Sequence, residues 1–111
     1  MSLPVSRFQA FDLLATPIAV IEGEGRISFV NAALEDVLGM SRRSLSGAYL
    51  PDFFADPQPL KNALIGAQSN EFSALRYEAM LKRLHHADSL PVHMIVAPSD
   101  RSDEVIIELL P

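Results

Sequence analysis

Cysteine is absent from the 111 residues. That alone excludes a disulfide framework, a thiolate nucleophile, Cys-ligated zinc and iron–sulfur clusters. Basic residues are scarce: 9 Lys and Arg against 14 Asp and Glu give a net charge of -5. A sequence-independent grip on nucleic acid needs clustered cations, so that class is excluded. Long apolar runs are also missing. Stretches such as Pro17 to Ile21 fall far short of the roughly 20 residues that span a bilayer. The start of the chain has neither the basic residues nor the apolar core of a secretory signal, so a cytoplasmic location is expected. No repeat, low-complexity tract or linker interrupts the sequence. What remains is globular composition, 49% apolar and 21% charged. Folding such a chain reduces its exposed surface from roughly 17,700 to roughly 6,100 Å², enough for one domain with one core.

Residues Val5 to Ala15 set Phe8, Phe11 and Leu14 three apart, which predicts a short amphipathic helix ending before Thr16-Pro17. Pro17 to Ile21 and the alternating Arg26 to Val30 flank Glu22-Gly-Glu-Gly25 and predict a β-hairpin. Asn31 and Gly39 bracket Ala32 to Leu38 with a favoured N-cap and a favoured C′ residue. Ser41 caps a further turn through Leu45, Gly47 closes it, and Leu50, Phe53 and Phe54 suggest another turn around Pro51. Asp56-Pro57 opens a longer helix whose Leu60, Ala63, Leu64 and Ala67 form a buried stripe. Three strands follow, Phe72 to Leu84, Leu90 to Ala97 and Glu104 to Leu110, joined by turns at His85 to Ser89 and Pro98 to Asp103. Segregated helices and strands predict an α+β fold with an antiparallel sheet. The last two strands are apolar on both faces, so each face needs a cover. The middle helices serve one face, which leaves the first helix or a partner subunit for the other.

Few residues suggest chemistry. Glu22-Gly-Glu-Gly25 leads into a strand and carries two carboxylates, so it reads as a turn and not a phosphate cradle. His85-His86 falls in a predicted turn, and adjacent strand residues point to opposite faces, which suits chelation poorly. A solvated loop is expected there, with no metal. No His/Ser/Asp set emerges, so no catalytic residue is assigned and the chain is read as non-enzymatic. Asn31 reads as a helix cap worth about 1 kcal/mol, or as a residue at a pocket mouth. Arg76 and His93, if they point inward, are the cations that could hold a carboxylate between sheet and helices. Phe8, Phe11 and Leu14 either fold back on the sheet as core or pair across a two-fold axis, and the two-faced sheet favours a homodimer.

The first hairpin, Val30-Asn-Ala-Ala33, Leu38-Gly39, Leu45-Ser-Gly47, the segment Gly47-Ala-Tyr-Leu-Pro-Asp-Phe-Phe54, the longer helix and the meander occur in a set order. That order and spacing resemble a PAS domain over roughly residues 12 to 110. The resemblance implies a five-stranded antiparallel sheet with short helices on one face, an N-terminal amphipathic helix over 1–15 and the PAS domain over 16–111. PAS pockets in other members hold haem, flavin or small carboxylates. The blue-light flavin members use a cysteine, which is missing, and haem members place a His on the long helix, where Lys61 to Asn70 has none. No cofactor is expected.

Phe11 to Ile21, Val30 to Ala33 and Ile106 to Pro111 are similar, more narrowly, to the N-terminal sensor segment of nitrogen-regulation histidine kinases (NtrB type). That likeness implies a signalling and dimerisation domain of a cytoplasmic two-component sensor kinase. Its partners would be its own kinase domain, a response regulator and the PII signal protein. The phosphoacceptor helix and ATP-binding domain of such a kinase are not in the sequence, so one domain of a longer protein is expected. A receptor for a small molecule such as a carboxylate is the alternative, with a haem-based sensor behind it.

Overall fold

The computed structural model describes residues 7–82 and 89–111. Gly23 and Gly25 both adopt positive φ, at 59° and 143°, a region that costs glycine nothing. The chain therefore reverses there, and β1 (Ile18–Glu22) pairs with β2 (Arg26–Val30) as the predicted hairpin. Asn31 accepts the Leu34 amide and Gly39 closes at φ 69°, so α1 (Ala32–Leu38) runs between its two predicted caps. Ser41 accepts the Ser44 amide at the start of α2 (Arg42–Leu45). A 3-10 turn over Leu50–Phe53 leads to α3 (Gln58–Gln68), which begins directly after Pro57.

The meander follows as β3 (Leu75–Lys82), β4 (Ser89–Pro98) and β5 (Glu104–Leu110). The five strands form one antiparallel sheet in the order β2-β1-β5-β4-β3. The inward residues of the sheet, among them Ala19, Ile21, Met94, Val96, Val105, Ile107 and Leu109, form one core with Leu34, Leu38, Leu45, Leu50, Leu60 and Leu64 of the helical side. This is the α+β architecture expected from the sequence. Among the described residues no helix is long and apolar enough to cross a membrane.

Two local readings change. The first helix, expected over Val5 to Ala15, is a 3-10 turn confined to Gln9–Leu13 among the described residues. In that geometry side chains three apart eclipse, which brings the Phe8 and Phe11 rings to 5.6 Å of each other. The third strand begins at Leu75 and not Phe72, because Phe72 packs its ring against Gly66 of α3. The His85-His86 turn lies outside the described residues.

Candidate functional site

The two faces of the sheet differ, and the register decides which residue goes where. Leu81, Val92, Met94 and Val96 point inward to the core. Arg76, Glu78, Met80, Pro91, His93 and Ile95 therefore point outward on the same strands. The three residues expected to share a pocket between sheet and helices are thus not brought together. Arg76 and His93 stand on the outer face, both exposed. Asn31 is fully buried at the start of α1.

Asn31 has no polar atom left for a ligand. Its Oδ1 accepts the backbone amides of Ile18 at 2.9 Å and Leu34 at 3.1 Å, and its Nδ2 donates to the carbonyls of Phe11 at 2.9 Å and Thr16 at 2.8 Å. Two lone pairs and two N–H groups are the full capacity of the amide. One side chain thereby ties the N-terminal segment, β1 and α1 together.

The interior is occupied by the protein's own side chains. Leu34, Leu38, Leu45, Leu50, Leu60, Leu64, Leu81, Met94, Ile107 and Leu109 lie between helices and sheet, each almost fully buried. Among the described residues one polar side-chain atom there is unsatisfied: the Tyr77 hydroxyl is buried without a hydrogen-bond partner. Burial pushes its pKa up to about 12, because the phenolate loses more hydration than the phenol.

The outer face is half covered. Phe8 and Phe11 pack against Phe29 of β2, with ring centroids 5.8 and 6.4 Å away. Beneath this strap Ile18 and Val20 are buried although they belong to the outer face. Arg7 clamps one end by donating to both carboxylate oxygens of Glu104, at 2.9 and 3.0 Å, and to Asp100. Glu104 is only 3% exposed, and Ser99 also donates to it. At the other end Arg42 bonds Asp12 at 2.7 Å and Glu35 at 3.2 Å. The Arg42 hydrogen bond is the main cause that holds the Asp12 carboxyl below the usual carboxylate range. Of the three residues named for a dimer contact, Phe8 and Phe11 are engaged within their own chain. Leu14 is 48% exposed.

The other half of the outer face, over β3, β4 and the far end of β5, has no such cover from the described residues. Met80 is 44% exposed, and Glu78, Met80, Pro91, His93, Leu110 and Pro111 line an open groove of about 480 Å³. One step along the sheet, Arg76, Ile95 and Glu108 stand in a single row across three strands. Neither Arg76 nor Glu108 has an ion pair among the described residues. Sequence reasoning missed this row because strand pairing, not sequence spacing, creates it. It missed the Arg7–Glu104 clamp for the same reason, its ends lying 97 residues apart. Among the described residues no three His, Asp or Glu side chains converge as a metal-ligand set.

A family model described as the PAS fold matches residues 7–110. No curated protein matches the sequence. Among solved structures, a PAS domain of a protein from Colwellia psychrerythraea superposes with a TM-score of 0.72 at 20% identity, covering 92% of this chain and 91% of that one. A domain of a sensory box sensor histidine kinase/response regulator from Geobacter sulfurreducens gives 0.69 at 14% identity, covering 87% and 83%. The PAS domain of the Cronobacter turicensis RpfR quorum-sensing receptor, in complex with BDSF, gives 0.72 at 15% identity, covering 87% and 93%. At these identities the likeness is one of fold.

Proposed function

The chain belongs to the PAS family, and from that premise we propose that it is the self-associating signalling domain of a sensor histidine kinase of the nitrogen-regulation type. The observation that carries the association is the row Arg76, Ile95, Glu108 on the uncovered half of the outer face. A cation and a carboxylate flank one apolar residue there. A two-fold axis through Ile95 sets Arg76 of one copy opposite Glu108 of the other, twice, so the pattern is complementary to itself. Met80, Pro91 and Leu110 extend the apolar part of the contact into the neighbouring groove.

Signalling then runs through this contact. β5 carries Glu108 and Leu110 to the end of the described chain, so a shift between the two copies displaces whatever continues from β5. In a kinase such a displacement biases the balance between its active states. The kinase domain, a response regulator and the PII signal protein are the partners that go with the nitrogen-regulation reading, which rests on the sequence likeness alone.

Analytical ultracentrifugation tests the contact. Wild type is expected to sediment as a dimer at tens of micromolar, and Ile95→Glu and Arg76→Glu as monomers. The double exchange Arg76→Glu with Glu108→Arg is expected to recover the dimer. Dimers that survive Ile95→Glu unchanged, or a double exchange no better than the single, would overturn the assignment.

A second reading is favoured by the Tyr77 hydroxyl. A buried donor without a partner costs about 1–3 kcal/mol, and a small molecule bearing an acceptor would satisfy it. On this reading the domain is a receptor, in line with the BDSF complex of the quorum-sensing relative.

A further inference from the structure

Two polar side chains of the open groove on the outer face take no part in the row Arg76, Ile95, Glu108. Glu78 of β3 and His93 of β4 stand directly opposite each other. The Met80 carbonyl accepts the Ala55 amide at 2.9 Å, so it leaves β3 on the side away from β4. Backbone groups alternate sides along a strand, and those of Glu78, two residues earlier, leave on that same side. Glu78 and His93 are therefore a non-hydrogen-bonded pair, the kind that brings opposed Cβ atoms within about 4.5–5.5 Å.

Both side chains are exposed, and neither has a hydrogen bond or an ion pair among the described residues. They are the polar members of the groove, and the rest of its lining, Met80, Pro91 and Leu110 included, is apolar. An imidazole beside a carboxylate is a ligand pair for a borderline-soft divalent ion. Two donors do not complete a site, and among the described residues no third His, Asp or Glu joins them.

A second copy supplies the missing donors, and this step rests on the self-association argued above. The axis that sets Arg76 against Glu108 runs along β4 through Ile95, so each outward residue of β4 meets its own counterpart. His93 lies two positions from Ile95 on that line. Packed sheets stand about 10 Å apart, a gap that two imidazoles reach across from either side. β3 of one copy lies over β5 of the other, which carries each Glu78 over Leu110 of the other copy. A carboxylate closed into an apolar contact is costly unless it is paired or ligates a metal.

We propose that the dimer holds one zinc-type divalent cation on its two-fold axis, liganded by His93 and Glu78 of both copies. Two imidazoles and two carboxylates make the four-coordinate set that such an ion takes, and its two charges balance the two carboxylates. Each copy alone contributes two exposed ligands, too few to retain the ion, so a chain purified in EDTA is a bare dimer.

The test is sedimentation velocity and isothermal titration calorimetry of the 111-residue chain, stripped with EDTA and dialysed, with ZnCl2 and with MgCl2 as control. His85→Gln with His86→Gln is the background, which leaves His93 as the one histidine of the sequence. Zinc is expected to bind at one ion per two chains. At about ten times its own Kd it is expected to tighten the dimer about tenfold. Magnesium, which demands octahedral oxygen ligands, is expected to do neither. His93→Gln and Glu78→Gln are each expected to abolish the tightening while the metal-free dimer remains. Ile95→Glu is expected to lose the dimer and the zinc together. A metal-free dimer that zinc leaves unchanged would overturn the site and leave the self-association standing. Zinc bound at one ion per chain, or a tightening that survives His93→Gln, would overturn the site as well. A chain that is monomeric with and without zinc would overturn both.

Discussion

Asn31 shows how much a single side chain can hold. Read from the sequence it is a helix cap, and it is one. The structure adds three further bonds, to Ile18, Phe11 and Thr16, that no spacing rule foretells, because they depend on where the first turn settles. Asn31→Ala is expected to cost about 3–5 kcal/mol in urea unfolding, since it strands two buried amides and two carbonyls as well as removing their bonds. Asn31→Asp separates the two halves of the amide: its oxygen still accepts from Ile18 and Leu34, but a carboxylate faces the Phe11 and Thr16 carbonyls. It is expected to lose most of the same stability. A loss of only about 1 kcal/mol for both variants would mean that the side chain is a cap and nothing more.

At the scale of elements, the hairpin and the helices were legible because each carries its own local chemistry: Gly23 and Gly25 at positive φ, Asn31 and Ser41 at N-caps, Pro57 before α3. The N-terminal segment was legible only in part. Its threefold spacing of Phe8, Phe11 and Leu14 fits a 3-10 turn as well as an α-helical stripe, and the choice is made by contacts with Phe29, Asn31 and Arg42, all distant in sequence. Arg42 ties that segment down through Asp12, and this tie depends on pH. Because the folded-state pKa of Asp12 lies below its ordinary value, the contribution is present above the unfolded value of about 3.9. It is lost as pH falls through the lower folded value. Arg42 is 43% exposed and Asp12 30%, so solvent screening limits the effect to about 1 kcal/mol or less. Asp12→Asn is therefore expected to melt below wild type at pH 7, with the gap closing as pH falls below about 4. A gap of the same size at pH 2 would show that the charge pair is not what Asn fails to replace.

For the molecule as a whole, the apolar character of both faces of β4 and β5 announced that the sheet has two covers to find. The sequence could not divide them. The structure gives one face to the helices and half of the other to the strap of Phe8 and Phe11; the row beyond the strap holds an exposed Arg76 beside half-buried Ile95 and Glu108. Arg76 and His93 could not be placed inside or outside without the strand register, and the interior was closed to them by large aliphatic side chains. The central claim is that this PAS domain works by contact with a second copy and not by holding a small molecule in its core. Native mass spectrometry of the purified chain, before and after denaturation, tests it most directly. The account predicts the mass of a bare dimer. A small molecule released on denaturation at one per chain, with its binding lost in Tyr77→Phe, would contradict it and establish the receptor reading in its place.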